Sequence, residues 1–207
     1  MENPTQITTL FLDIGGVMLS NGWGHESRKL AAERFNLNLD EMENRHRINV
    51  ATHEEGKLTL SEYLNRVVFY EKRSFTPDQF REFMFTQTTP NIEMIDFIKQ
   101  LKEQYKLKIA VVNNEGRVLN EYRIRKFKLN QFVDFFISSC FVHYRKPDTD
   151  IFCLALDVAQ VPVEQVIYIE DLQMFVDVAR SMGIRSIRHK NQLETSEVLA
   201  TMGLMIA

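Results

Sequence analysis

Thr8-Thr9-Leu10-Phe11-Leu12-Asp13-Ile14-Gly15-Gly16 is the stretch whose reading decides the fold. A short apolar, partly β-branched run stops abruptly at a carboxylate and a glycine pair. That pattern predicts a buried strand that delivers Asp13 into a tight turn at its carboxyl end. Two further runs share the form. Leu107-Lys108-Ile109-Ala110-Val111-Val112 ends at Asn113-Asn114, and Val166-Ile167-Tyr168-Ile169 ends at Glu170-Asp171. Each places polar groups where an apolar strand stops.

Helical periodicities fill the intervals at Ile92–Gln104, Arg117–Lys128, Asp148–Ala159 and Met174–Met182, with weaker strands at Phe135–Ser138 and Arg185–Ile187. Alternating strand and helix predicts an α/β fold: a Rossmann-like, mainly parallel sheet with helices on both faces. Such sheets bind ligands at the carboxyl ends of their strands. Asp13, Asn113, Glu170 and Asp171 are therefore expected to meet in one crevice.

The alternation breaks between about Gly24 and Thr89, where only helical patterns occur: Glu26–Phe35, Leu39–Val50, Thr59–Tyr70 and Pro77–Phe85. Thr59 to Glu62 has the form of a capping box, and Thr76-Pro77 that of a helix start. The expectation is a four-helix cap inserted at 23–89 into a catalytic core made of 1–22 and 90–207. Phe80, Phe83, Met84 and Phe85 have helical spacing and read as the apolar interior of that cap. Trp23, His25, Arg45, His46 and Arg47 concentrate aromatic and basic character there, with Trp23 and Arg45 as candidates for contact with the distal part of a substrate.

Composition narrows the function classes. A chain of 207 residues, 44% hydrophobic, can bury one substantial core plus an insertion. A net charge of -3 gives no general attraction for nucleic acid or an anionic membrane. No apolar stretch approaches the roughly 20 residues that span a bilayer. Residues 1–9 lack the basic start and apolar run of a leader, and Cys140 and Cys153 show no metal-ligand spacing. The two thiols read as buried and reduced. The expectation is a cytoplasmic protein, a monomer or homodimer, that binds no nucleic acid and no membrane.

Phe11-Leu12-Asp13-Ile14-Gly15-Gly16-Val17-Met18, then Asn113-Asn114, then Tyr144-Arg145-Lys146-Pro147-Asp148 with Ile151-Phe152, then Ile167-Tyr168-Ile169-Glu170-Asp171, resemble the motifs of the haloacid dehalogenase superfamily in their order. The nearest branch is that of the helical-cap phosphatases. The resemblance implies Asp13 as a nucleophile that becomes an aspartyl phosphate. It implies Lys146 as the cation that neutralises Asp13 and the phosphoryl oxygens, and Asn113 at the station of a hydroxyl donor, followed by Asn114 as a second substrate contact. Asp13, the Gly15 carbonyl, Glu170 and Asp171 are implied as ligands of Mg²⁺.

One departure stands out. Most phosphatases of this type carry a second Asp where this chain has Gly15, and that Asp serves as general acid and then base. The function expected is Mg²⁺-dependent hydrolysis of a small phosphomonoester, a phosphorylated metabolite such as a sugar phosphate. Two other classes share the nucleophile or the fold. A 2-haloacid dehalogenase also lacks the second Asp, but its Tyr-Gly-Thr and Ser-x-Asn patterns are missing here, and Glu170-Asp171 counts against it. A catalytically impaired binding or regulatory protein would accommodate both Gly15 and Asn113.

Overall fold

The computed structural model describes residues 6–206. The first part of the 1–9 segment read for a leader therefore lies outside the described residues, as do the outermost ends of the 1–22 and 90–207 segments. Five strands, β1 (Thr9–Leu12), β2 (Lys108–Asn113), β3 (Phe135–Ser138), β4 (Val166–Glu170) and β5 (Arg185–Arg188), form one sheet in the order β3-β2-β1-β4-β5. Every pairing is parallel. The chain runs from β1 outward to β2 on one side and returns to β4 on the other. The crevice at such a switch in strand order lies at the carboxyl ends of β1 and its two neighbours.

Register brings the chemistry-bearing residues level. Leu12 pairs with Val111 on one side and with Ile169 on the other, and the Asp13 amide donates to the Ile169 carbonyl at 3.0 Å. Asp13, Asn113 and Glu170 thus emerge along one edge of the sheet.

Ten α-helices and two short 3₁₀ turns, Leu129–Gln131 and Val163–Gln165, complete the described fold. Four lie between the first strand and the second: α1 (His25–Phe35), α2 (Leu39–Glu54), α3 (Leu60–Val67) and α4 (Pro77–Thr86). Then come α5 (Ile92–Tyr105), α6 (Arg117–Lys126), α7 (Ser139–Val142), α8 (Asp150–Ala159), α9 (Gln173–Ser181) and α10 (Gln192–Thr201). Strand side chains alternate between faces, so one sequence feeds two cores. Leu10, Leu12, Ile109, Val111, Ile167 and Ile169 pack with Met94, Ile98 and Leu101 of α5 and Leu199 of α10. Phe11, Ala110, Val112, Val166 and Tyr168 pack with Ile151, Phe152 and Ala155 of α8 and Ala179 of α9. Each fully buried aliphatic or aromatic side chain contributes roughly 1.5–3 kcal/mol, so these two layers supply much of the apolar stabilisation of the sheet that carries the site.

Helices α1 to α4 bury a third cluster, with Trp23, Ala31, Tyr63, Leu64, Val67, Phe80 and Met84 at its heart. It is tied to the sheet domain by Leu119 of α6 and by Phe85, whose ring stacks on Tyr122 at 4.6 Å. Capping boxes close both Thr59–Glu62 and Thr76–Gln79. The two connecting strands of chain run side by side: the Ser20 amide donates to the Thr89 carbonyl at 2.8 Å, and the Thr89 amide donates to Ser20 Oγ at 3.0 Å.

Cys140 is buried as expected, but Cys153 is exposed. It sits on α8 beside Phe152, which takes the inward direction, so the next residue around the helix turns outward. No helix among the described residues is long and apolar enough to cross a membrane.

Candidate active site

Lys146 is the centre of the site. Its side chain is buried, and its ammonium donates to Asp13 Oδ1 at 2.8 Å, to Glu170 Oε2 at 2.6 Å and to the Tyr168 hydroxyl at 3.0 Å. An ammonium has three protons, and all three are used. The Tyr168 hydroxyl also donates to Glu170 Oε2. Glu170 Oε1 accepts from the Leu172 amide at 3.0 Å, which fixes the start of α9 against the same carboxylate.

Asp13, Glu170 and Asp171 offer oxygens that lie within 4.8 Å of one another. Three carboxylates share a single ammonium, and their titration reflects the imbalance. Burial pushes Asp13 up to about 6 against the pull of Lys146, with the Glu170 charge adding to the rise. Burial, a hydrogen bond with Glu170 and the charges of Asp13 and Glu170 push Asp171 up to about 7. Burial also raises Glu170, yet Lys146 and hydrogen bonds from Asp171, Lys146 and Tyr168 bring it below its ordinary value. For Lys146 burial alone would lower the value, but Asp13 and Glu170 outweigh it and hold the ammonium charged. A hard divalent cation bound by carboxylate oxygens is the group such a set fits, because it relieves the surplus negative charge.

Gly16 makes that cluster possible. Its φ is +71°, and a Cβ added there would fall 2.9 Å from Asp171 Cβ and closer still to the carboxylate itself. The backbone of the Gly15-Gly16 turn thus lies against Asp171 with no room for a side chain. Gly15 differs, since its added Cβ would meet Asn21 Oδ1 at 3.0 Å and Asp13 Oδ2 at 3.7 Å. A side chain at position 15 would therefore project beside the Asp13 carboxylate, in space now taken by the Asn21 amide.

Asn114 acts on Lys146 through the backbone. Its Nδ2 donates to the Lys146 carbonyl and its Oδ1 accepts from the Lys146 amide, both at 2.8 Å. Asn113 is turned away. It pairs in register with Ser138 as the last residue of β2, donates to Asn120 Oδ1 at 3.0 Å and accepts from Ser138 Oγ at 2.7 Å. Both polar ends of its amide are used inside the protein, and it does not line the cavity above Asp13.

That cavity, of about 290 Å³, lies between the strand ends and the four-helix insertion. Asp13, Gly15, Lys146, Glu170 and Asp171 form its floor, and Trp23, Asn114 and Met84 are on its walls. Arg45 is not among its lining residues. It pairs with Glu41 at 2.6 Å, donates to the Arg66 carbonyl and lies 3.6 Å over the Tyr70 ring. His25 is exposed and pairs with Glu43.

Several lining residues carried no assignment from sequence: Arg28, His53, Glu54, Tyr63, Glu115, Arg123 and Arg145. Glu54 on α2 accepts from Arg145 Nε at 3.0 Å and Nη2 at 2.6 Å, so a half-buried ion pair joins the insertion to the residue before Lys146. Arg123 donates to Glu115 at 2.9 Å and to the Ser20 carbonyl, linking the loop after β2 to the first connecting strand. Burial pushes Glu115 up to about 7 despite Arg123. A signal existed for one wall. Met42, His46, Val50 and His53 recur at helical spacing on α2, and this stripe is the face turned inward.

The model of the haloacid dehalogenase-like hydrolases matches residues 22–189, a span that holds Lys146, Glu170 and Asp171 and begins after Asp13. The chain belongs to the haloacid dehalogenase-like hydrolase family. Among curated relatives of this chain is a phosphorylated carbohydrates phosphatase of Thermotoga maritima, 28% identical over 134 residues, which are 64% of this chain and 57% of that protein. The chain spans about half the length of the curated relatives it matches. Solved structures of similar fold include a HAD family enzyme of Bacteroides thetaiotaomicron, with TM-score 0.77 at 18% identity over 94% of this chain and 99% of that one. The same enzyme has been solved in complex with magnesium and inorganic phosphate. A HAD-like family hydrolase of Porphyromonas gingivalis gives a TM-score of 0.74 at 18% identity, covering 95% of this chain and 98% of that one.

Proposed function

We propose that this hydrolase is a Mg²⁺-dependent phosphatase that cleaves small phosphomonoesters through an aspartyl phosphate on Asp13. The observation that carries the reading is the Lys146 ammonium held 2.8 Å from Asp13 and 2.6 Å from Glu170, with an Asp171 oxygen within 4.8 Å of both acids. A carboxylate lifted only to about 6 is still largely ionised at neutral pH, so Asp13 is available as a nucleophile.

In the first step an Asp13 oxygen bonds to phosphorus as the bond to the leaving oxygen breaks, and with Gly at position 15 the departing alkoxide takes its proton from water. Water then hydrolyses the acyl phosphate, restoring the carboxylate and releasing inorganic phosphate. Lys146 fixes the Asp13 carboxylate and offsets charge as the phosphoryl group arrives. Asn114 holds the backbone that carries Lys146. Asp13, Asp171 and the Gly15 carbonyl, with Glu170 behind them, would hold the magnesium, which when bound supplies positive charge to the phosphoryl oxygens. The insertion, 23–89, acts as a cap over the core of 1–22 and 90–207 and excludes bulk water during transfer. The name of the Thermotoga relative and the magnesium and phosphate in the Bacteroides neighbour support this choice over dehalogenation.

A screen of phosphomonoesters with and without Mg²⁺, on the wild type and Asp13→Asn, tests it. Metal-dependent phosphate release abolished by the substitution is the expected result. Metal-independent halide release from a 2-haloacid, or ligand binding with no turnover, would overturn it.

A further inference from the structure

The walls of the cavity say what kind of alcohol the phosphoryl group is attached to. Every arginine on them already donates to a carboxylate of the protein. Arg28 gives Nε and Nη2 to Glu43 at 2.9 and 3.0 Å and Nη1 to the Trp23 carbonyl at 2.6 Å. Arg145 is held by Glu54, and Arg123 by Glu115.

The two imidazoles are neutral. Trp23 Nε1 can only donate, and it donates to the Tyr63 hydroxyl at 2.9 Å. The Tyr63 proton is then free for His46 Nδ1, 2.7 Å away, which leaves the His46 proton on Nε2. Burial and the nearby Arg28 charge hold His46 at about 4. His53 gives its Nδ1 proton to the Leu58 carbonyl at 3.0 Å, stacks on Tyr63 and is lowered by burial.

A second anionic group on the substrate would therefore meet only arginines already engaged by carboxylates of the protein. To recruit Arg145 it would have to strip Glu54 of its partner and leave that half-buried carboxylate beside another anion, an arrangement both desolvation and repulsion oppose. The remaining surface is apolar or neutral: Val50, Leu60, Met84 and Leu119, with the rings of Trp23 and Tyr63.

We propose that the leaving group accepted here is an uncharged alcohol with both hydroxyl and apolar surface, so that the enzyme selects esters with a single phosphoryl group and rejects those bearing a second phosphate or a carboxylate. This rests on the phosphatase reading above, since it presumes that Asp13 receives the phosphoryl group.

Glycerol 3-phosphate and 3-phosphoglycerate form a suitable pair of probes, because they differ at the distal carbon by an alcohol against a carboxylate. With Mg²⁺ present, kcat/KM of the wild type is expected to favour glycerol phosphate by at least about tenfold. His46→Lys, which places a cation on the wall, is expected to narrow that ratio by raising the phosphoglycerate value. Val50→Lys, on the same face of α2, serves if His46→Lys does not fold. A wild-type preference under tenfold, or a ratio unmoved in a folded lysine variant, overturns the proposal. Absence of turnover with both probes and with p-nitrophenyl phosphate overturns the phosphatase reading instead, and the proposal with it.

Discussion

Replacing Gly16 by Ala tests the geometry of the acidic cluster without touching any of its carboxylates. The added methyl would sit at φ +71°, where a side chain costs about 1–2 kcal/mol. It would also fall 2.9 Å from Asp171 Cβ, with Cγ and Oδ2 nearer still. Ordinary carbon contacts lie near 3.5–4.0 Å, so Asp171 Cβ must retreat by roughly half an ångström and its carboxylate by more. Rotating the carboxylate alone does not relieve a clash that includes Cβ. Metal sites tolerate ligand displacements of only about 0.2 Å, so the expected result is a Mg²⁺ affinity weakened by at least about tenfold. Calorimetric titration of the folded variant with Mg²⁺ reads this directly, and urea unfolding reports the backbone cost separately. Gly15→Ala is the control. Its nearest contact is the tip of Asn21 at 3.0 Å, and its Mg²⁺ affinity should change by no more than about 0.5 kcal/mol. A Gly16→Ala protein that binds Mg²⁺ as tightly as the wild type would refute the placement of Asp171 among the ligands.

Two further outcomes follow from the cavity. His46 has a folded value of about 4 against 6.5 unfolded, because burial disfavours its charged form. The folded state thus binds fewer protons between those limits, and the associated stability is complete above pH 6.5 and lost as pH falls toward 4. After allowance for partial exposure this amounts to about 2–3 kcal/mol. Urea unfolding should show a smaller loss between pH 6.5 and 4.5 for His46→Gln than for the wild type; equal losses would show that His46 titrates normally. Gly15→Asp, combined with Asn21→Gly to clear the Asn21 oxygen 3.0 Å from the new Cβ, should supply a proton to the leaving group. Turnover of alkyl phosphates is expected to rise by roughly 10²- to 10⁴-fold, and turnover of p-nitrophenyl phosphate much less. An equal change for both substrates would contradict the role given to position 15.

The fold was legible because its signal is strong and local. Leu10-Phe11-Leu12 and Val166-Ile167-Tyr168-Ile169 are buried on both faces, so they read as continuous apolar runs, and Asp13, Glu170 and Asp171 follow them by chain connectivity alone. Asn113 shows the limit of that reasoning. Whether the last strand residue faces the crevice depends on how far the ladder extends, and pairing with Ser138 carries it one residue past Val112. The Asn113-Asn114 pair is then divided, one amide inside the protein and one clamping Lys146.

Arg45 and His46 differ for a related reason. Neighbours on a helix point about 100° apart, so only one can face the cavity, and the rotation of α2 is set by packing against α3 and α1 rather than by a dense apolar stripe. The Arg–Glu pairs between the insertion and the sheet domain, or within the latter, lay further from reach. Glu54 and Arg145, or Glu115 and Arg123, are unremarkable surface residue types until the insertion folds back over the sheet and removes water from between them. Helix α10 was missed because few of its residues are buried, although Asn191 capping the Glu194 amide was a readable start signal.

The proposed catalysis requires that Asp13 bond to phosphorus. Acid quenching of the enzyme during turnover of a radiolabelled phosphomonoester with Mg²⁺, followed by peptide mapping, measures this. A hydroxylamine-labile phosphoryl group is expected on the peptide containing Asp13, and none in Asp13→Asn. Sustained phosphate release by Asp13→Asn, or label on a different residue, would contradict it.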